Sequence, residues 1–360
     1  MDTKQDARHV YAICKDPGGV NVIMPTVREL QGLGIPTTVY AYGAAVGLLS
    51  GQVFIDVEKE GVRPDFKQRC ALITSMDSNM WFSRDMLRLF KYLEKKTVII
   101  EDYWGGGYNT ELSDPAYRPD FVILNDEVGK RIVLESWKDF HEGRIIASGY
   151  PSLDRFAHIN IEVARRQVRE GYEISDNMKV VLYAGQLERT SETLNELIEA
   201  LHVFCDTENI FLIARQHPRM KDDAPHQITL WQEALLRFKG RTAGNPYIYN
   251  MPTLIVASDV VVSAFSTCLL EAAALRKPNI AILYPEVEQR ILNEATGDAY
   301  KELPIIDLGC TFKAECRDSI KHYLRKSFLD PEFLVEAQKR AFRLDGKNAL
   351  QAAGFISGLL

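Results

Sequence analysis

Ser266, Thr267 and Glu271 are of the types, and at the spacing, that hold a phosphorylated ligand. The two hydroxyls stand where a β-branched run, Asp259 to Ser263, gives way to an Ala- and Leu-rich stretch, Cys268 to Arg276. That pattern reads as a buried strand, a turn and the start of a helix. Hydroxyls and unbonded backbone N–H groups converge at such a point and favour an anion such as phosphate. Glu271 is the sole acid of the helix and lies four residues after Thr267, so the two share a face. A carboxylate among Leu269, Leu270 and Ala272 to Ala274 needs hydrogen-bond donors. The vicinal hydroxyls of a ribose would serve, and so would an arginine.

Three further clusters stand at the ends of predicted strands. Arg215-Gln216-His217-Pro218-Arg219 sets two guanidinium groups and an imidazole about a proline-stiffened turn, a set suited to phosphate. Glu101-Asp102-Tyr103-Trp104-Gly105-Gly106-Gly107 places two acids beside aromatic rings and glycines; adjacent carboxylates raise one another's pKa, as a general base requires. Lys15-Asp16-Pro17-Gly18-Gly19 offers a second acid and a glycine pair where a backbone could approach a ligand closely. A solvated loop over a packed Trp104, or a tight turn at Gly18 and Gly19, would use the same residues. Gln186 follows another predicted strand and completes the set.

These residues are positioned by a regular alternation of elements. Strands are expected over His9–Cys14, Pro36–Tyr42, Cys70–Ser75, Thr97–Ile100, Phe121–Leu124 and Arg144–Ser148, with helices over Val22–Leu30 and Arg84–Lys95. A helical connector over Asn160–Gly171 leads to a second series. Its strands are Lys179–Tyr183, Ile210–Ala214, Asp259–Ser263 and Asn279–Leu283, with a helix over Ser191–Cys205. Strand, helix, strand in about thirty residues is one right-handed βαβ unit of a parallel sheet. In such sheets ligands gather at the strands' carboxyl ends, where every cluster above falls.

Composition sets the frame. At 360 residues the chain exceeds one usual core, and its 46% hydrophobic and 26% charged residues suit a globular enzyme. A formal charge of −6 without a basic block argues against nucleic acid as a partner. No apolar run approaches bilayer length, and the polar start MDTKQDARHV is read as lacking a signal peptide. The six cysteines show no CxxC spacing and fit free thiols in a reducing cytoplasm. No metal-ligand motif stands in the loops of the site, so no metal and no cofactor is invoked.

Gly149-Tyr150-Pro151-Ser152-Leu153-Asp154 resembles the interdomain "G-x-P-x-x-D" of GT-B glycosyltransferases and their relatives. Asp259 to Pro278 resembles the donor-site unit of that superfamily, and Asp345-Gly346-Lys347-Asn348-Ala349 its final returning helix. The resemblance implies an α/β fold of two Rossmann-like domains facing a central cleft. Residues 1–150 with about 345–360 would form the acceptor domain, and residues 151–344 the nucleotide-donor domain. His217-Pro218 followed by Ser266-Thr267 is similar to the motifs that bind a cytidine nucleotide in bacterial sialyltransferases, capsule Kdo transferases and CDP-glycerol transferases.

The activity so implied is transfer of a sugar or sugar-like acid from a CMP-, CDP- or UDP-activated donor to a hydroxyl of a surface-glycan precursor. Gly18, Gly19, Gln186, Arg215, His217, Arg219, Ser266, Thr267 and Glu271 would bind the donor. Asp102, Asp16 or Glu101 would take the acceptor's proton, with His217 acting on the leaving phosphate. The family's base element is D/E-D/E-G; here Gly105 comes two residues late, so the choice of base stays open. The implied partners are the nucleotide-activated donor and a glycan or lipid-linked acceptor. A cytoplasmic setting, peripheral membrane association and a homodimer are compatible with this. UDP-N-acetylglucosamine 2-epimerases share the hinge element, which makes an epimerase, or a non-catalytic nucleotide-sugar-binding relative, the alternative.

Overall fold

A computed structural model describes residues 8–76, 79–105, 107–187, 189–205, 209–284, 290, 292 and 301–360. The chain divides into two compact units, one of residues 1–157, 290–301 and 344–360, the other of residues 158–289 and 302–343.

The first unit holds seven strands: β1 (Arg8–Cys14), β2 (Thr37–Ala41), β3 (Ile55–Asp56), β4 (Arg69–Ser75), β5 (Lys96–Ile100), β6 (Phe121–Leu124) and β7 (Ile145–Ala147). They lie in the order β3-β2-β1-β4-β5-β6-β7, all parallel. β1 is the pivot: Val10 stands opposite Thr37 on one side and Ala71 on the other. The chain walks outward to β3, then returns past β1 and continues to β7, so the switch in direction falls between β1 and β4. β1 and β4 are buried on both faces, which is why they read as near-continuous apolar runs.

The second unit repeats this plan with β8 (Lys179–Ala184), β9 (Ile210–Arg215), β10 (Arg241–Thr242), β11 (Val260–Ser263), β12 (Asn279–Ile282) and β13 (Phe312–Ala314). Their order is β10-β9-β8-β11-β12-β13, again parallel, with the switch between β8 and β11. Leu194, Leu197, Leu201 and Phe204 of the helix Thr190–Cys205 cover one face and form a core with Val181, Leu212 and Val262. The α/β fold with two Rossmann-like sheets is the one expected from the alternation. Among the described residues, no helix is long and apolar enough to cross a membrane.

The Gly149–Asp154 element has a defined mechanical task. Asp154 accepts hydrogen bonds from the Asn348 backbone N–H (3.1 Å), the Asn348 side chain (2.6 Å) and the Ala349 N–H (2.7 Å). It thereby caps the helix Asn348–Leu359 with a negative charge at the positive end of the helix dipole. Gly149 has φ +88°, and a Cβ there would stand 2.0 Å from Asn348 Oδ1, so no other residue fits. The capped helix packs on Pro17–Gly32, and its Ala352, Ala353 and Ile356 join the first unit's core.

Candidate functional site

In the first unit the site is built around the end of β1. The helix that follows runs Pro17–Gly32 and begins five residues before the expected Val22. Pro17 occupies its first turn with φ already set, and Gly18 and Gly19 are its next residues rather than a turn. Gly18 is required by a close approach: a Cβ on it would stand 2.2 Å from Asp102 Oδ2. The carboxylate of Asp102, at the end of β5, therefore lies against the opening of the β1 helix. Asp102 Oδ1 also accepts the Tyr103 N–H at 2.9 Å. Asp16 caps no helix N–H with its side chain, pairs with Lys15 at 3.5 Å and is partly exposed. The two competing bases, Asp102 and Asp16, thus flank one helix N-terminus.

Glu101 is differently placed. It is wholly buried, with Oε1 accepting from Tyr108 O–H at 3.1 Å and Oε2 from Asn125 N–H at 3.3 Å. Its pKa rises to about 8, first through burial and next through the charge of Asp126; neighbouring Asp102 contributes least. The raised pKa expected from adjacent acids is present, but its cause is desolvation. Asp126 caps the helix Glu127–Ser136 through the Gly129 N–H. It also accepts from Trp104 Nε1 (3.0 Å) and Tyr150 O–H (2.6 Å). This network, which sequence reasoning missed, holds the loop after β5 from beneath. Its one legible signal was an acid set to cap a helix, Asp126 ahead of Glu127-Val128-Gly129.

In the second unit, one backbone and one side-chain hydrogen bond tie three loops together. Gly185 N–H donates to the Arg215 carbonyl at 2.8 Å, joining the end of β8 to that of β9. Gln186 Oε1 accepts the Phe265 N–H at 2.8 Å, joining β8 to β11. Gly185 has no room for a side chain, since a Cβ would lie 2.7 Å from Trp231. Gln186, Arg215, His217, Ser266 and Thr267 are thereby brought to one carboxyl edge.

His217 Nδ1 accepts the Arg219 N–H at 3.2 Å, so its neutral ring carries the proton on Nε2. Burial, then the charge of Arg219, hold its pKa below the usual value, against a weaker pull from Asp223. Ser266 Oγ accepts the Cys268 N–H at 3.2 Å and caps the helix Thr267–Ala274; Thr267 is exposed and Glu271 half-buried. The arginines are partly engaged. Arg215 donates to the Tyr249 carbonyl at 2.8 Å and stacks over Tyr247, and Arg219 pairs with Asp223 at 3.2 Å. Arg189, which the sequence reading passed over, stands at φ +51° beyond β8 and stacks on Tyr284 beyond β12. Gly106 and Glu188, in two of the expected loops, lie outside the described residues.

A search of the curated proteins found no match. Among solved structures, the wall teichoic acid polymerase TagF is 13% identical and superposes with a TM-score of 0.58, over 98% of this chain and 89% of that one. UDP-GlcNAc 2-epimerase from Neisseria meningitidis is 14% identical with a TM-score of 0.67, over 98% and 100%. A glycosyltransferase from Rickettsia africae is 14% identical with a TM-score of 0.63, over 98% and 99%. At such identities the likeness is one of fold, the GT-B fold. The sequence adds the family: the profile of CDP-Glycerol:Poly(glycerophosphate) glycerophosphotransferase matches residues 84–290, more than half of the chain, from the helix between β4 and β5 to beyond β12, and the chain belongs to this family of transferases.

Proposed function

We propose that the chain transfers a polyol-phosphate unit from a CDP-activated donor to a hydroxyl of a surface-glycan precursor. Support comes from the CDP-glycerol chemistry in the family's name, joined to one observation: the hydrogen-bonded union of the loops after β8, β9 and β11. That union sets a Nε2–H of His217 and the hydroxyls of Ser266 and Thr267 on one edge, suited to a pyrophosphate.

In this reading the acceptor oxygen attacks the donor's β-phosphorus. A new P–O bond forms, the P–O bond to CMP breaks, and the hydroxyl proton passes to Asp102. Negative charge gathers on the departing CMP phosphate, where His217 Nε2–H, Ser266 and Thr267 offset it. Glu271 holds the ribose. Glu101, buried and protonated near neutral pH, takes no proton from substrate and instead supports the loop of Asp102. The work takes place in the cytoplasm, on a lipid-linked or glycan acceptor.

Calorimetric titration with CMP, CDP, UMP and UDP, followed by assay of CMP release from CDP-glycerol, tests this. Tighter binding of the cytidine pair with CMP release supports it; tighter binding of the uridine pair overturns it. The second reading, an epimerase, is favoured by the higher TM-score of the Neisseria enzyme. Inversion at C2 of UDP-N-acetylglucosamine without transfer would select it.

A further inference from the structure

Among the described residues, five other than glycine have a positive φ: Asn79, Glu94, Glu173, Arg189 and Arg276. Glu94, Glu173 and Arg276 each stand two residues past the end of a helix, where a left-handed residue commonly ends the run. Asparagine tolerates that conformation. Arg189 has neither reason: at φ +51° it stands immediately before the helix Thr190–Cys205. Glycine would take the position without strain, yet the chain keeps a long cation there.

The backbone is pinned in that conformation. The Arg189 carbonyl accepts both the Thr193 N–H and the Thr193 hydroxyl, each at 3.1 Å. Gln186 N–H donates to Thr190 Oγ1 at 3.1 Å and closes the turn between them. The guanidinium lies over the Tyr284 ring, 4.4 Å from its centroid. Arg189 follows β8 and Tyr284 follows β12, and β11 lies between those strands in the sheet. The pair therefore closes across the end of β11, where Ser266 and Thr267 open the helix Thr267–Ala274. Glu192 pairs with Arg189 at 3.7 Å, an exposed contact of little strength.

We propose that Arg189 binds the donor's second phosphate, the one transferred with the polyol. The inference rests on the transferase reading and deepens it. In that reading Glu271, inside the helix, holds the ribose, and Ser266 and Thr267 at its start meet the first phosphate. A diphosphate that continues in the same direction leaves the helix and comes under the loops after β8 and β12. A guanidinium held flat on a ring offers a fixed fork of N–H donors to such an oxyanion. Stacking at an exposed site stabilises a fold little, so packing alone does not account for the strained φ.

Calorimetric titration of the full chain with CMP and CDP isolates the second phosphate. The native chain should bind CDP more tightly than CMP. Arg189→Gly and Arg189→Gln should each weaken CDP binding about tenfold or more and leave CMP within about threefold. Because glycine relieves the strained φ, Arg189→Gly should melt no lower than the native chain. Unchanged CDP affinity, equal losses for CMP and CDP, or a lower melting temperature with the preference for CDP intact overturns the inference. A native chain that prefers UMP and UDP, with Arg189→Gly losing affinity for UDP alone, overturns the cytidine transferase reading instead and leaves the role of the arginine standing.

Discussion

The carboxylate of Asp102 occupies the space that a side chain on Gly18 would need, with Oδ2 2.2 Å from the place of a Cβ there. A loop after β5 is thereby locked to the helix after β1 by the smallest possible change in sequence. Gly18→Ala should force Asp102 aside and lower turnover about a hundredfold, the scale of a misplaced catalytic group. In the helix's first turn alanine is otherwise favoured over glycine, so thermal stability should change by less than about 1 kcal/mol. Calorimetric melting and an initial-rate assay on the same sample separate the two effects. A variant with full activity would remove Asp102 from the chemistry.

Glu101 gives a stability signature in pH. Its folded pKa of about 8 stands above the ordinary 4.5, so the folded chain keeps a proton that the unfolded chain releases. Its contribution is complete below pH 4.5 and is lost as pH rises through 8. Within that window the slope approaches about 1.4 kcal/mol per pH unit. Glu101→Gln, which keeps an acceptor for Tyr108, should flatten the slope and melt higher at pH 8. Urea unfolding at pH 5, 6.5 and 8 measures it; parallel curves for both proteins would contradict the assignment.

His217 is held neutral by burial and by Arg219, so its NMR titration midpoint should fall below 6.5. Bound CMP should raise that midpoint, because a phosphate beside Nε2 favours imidazolium. A midpoint unmoved at saturating CMP would place the phosphates elsewhere.

Glu271→Gln should weaken cytidine nucleotide binding by roughly 1–3 kcal/mol, the scale of a charge-assisted hydrogen bond lost from a part-buried site. A Glu271 that serves only the fold would lower the melting temperature and leave affinity unchanged.

Asp154→Ala removes an acceptor shared by three N–H groups and should cost about 1–3 kcal/mol, read by denaturant titration. CDP affinity should be unaffected, since the residue caps a helix of the first unit.

Much of this was legible because parallel strands buried on both faces write themselves as apolar runs. Phe121–Leu124 and Lys179–Tyr183 are located to within a residue, and so are the clusters at strand ends. The helix Pro17–Gly32 was cut short because two glycines look like a turn, and only the approach of Asp102 explains them. The Glu101–Asp126 network was hidden for a related reason: burial, which no local spacing encodes, sets the protonation of Glu101. Arg189 and Tyr284 meet from loops 95 residues apart, a pairing decided by strand order rather than by either neighbourhood.

The cap at Asp154 also fixes an order of events during synthesis. Residues 348–360 emerge only after the whole of the second unit, yet Ala352, Ala353, Ile356 and Leu360 belong to the first unit's core. That core stays open, with the helix Pro17–Gly32 bare along one side, until nearly two hundred intervening residues have been made. The second unit can fold meanwhile, and doing so shortens the loop that must close when Asn348 meets Asp154. Nascent first units thus share a window of exposed apolar surface whose length is set by the speed of translation and by how early the inserted unit folds.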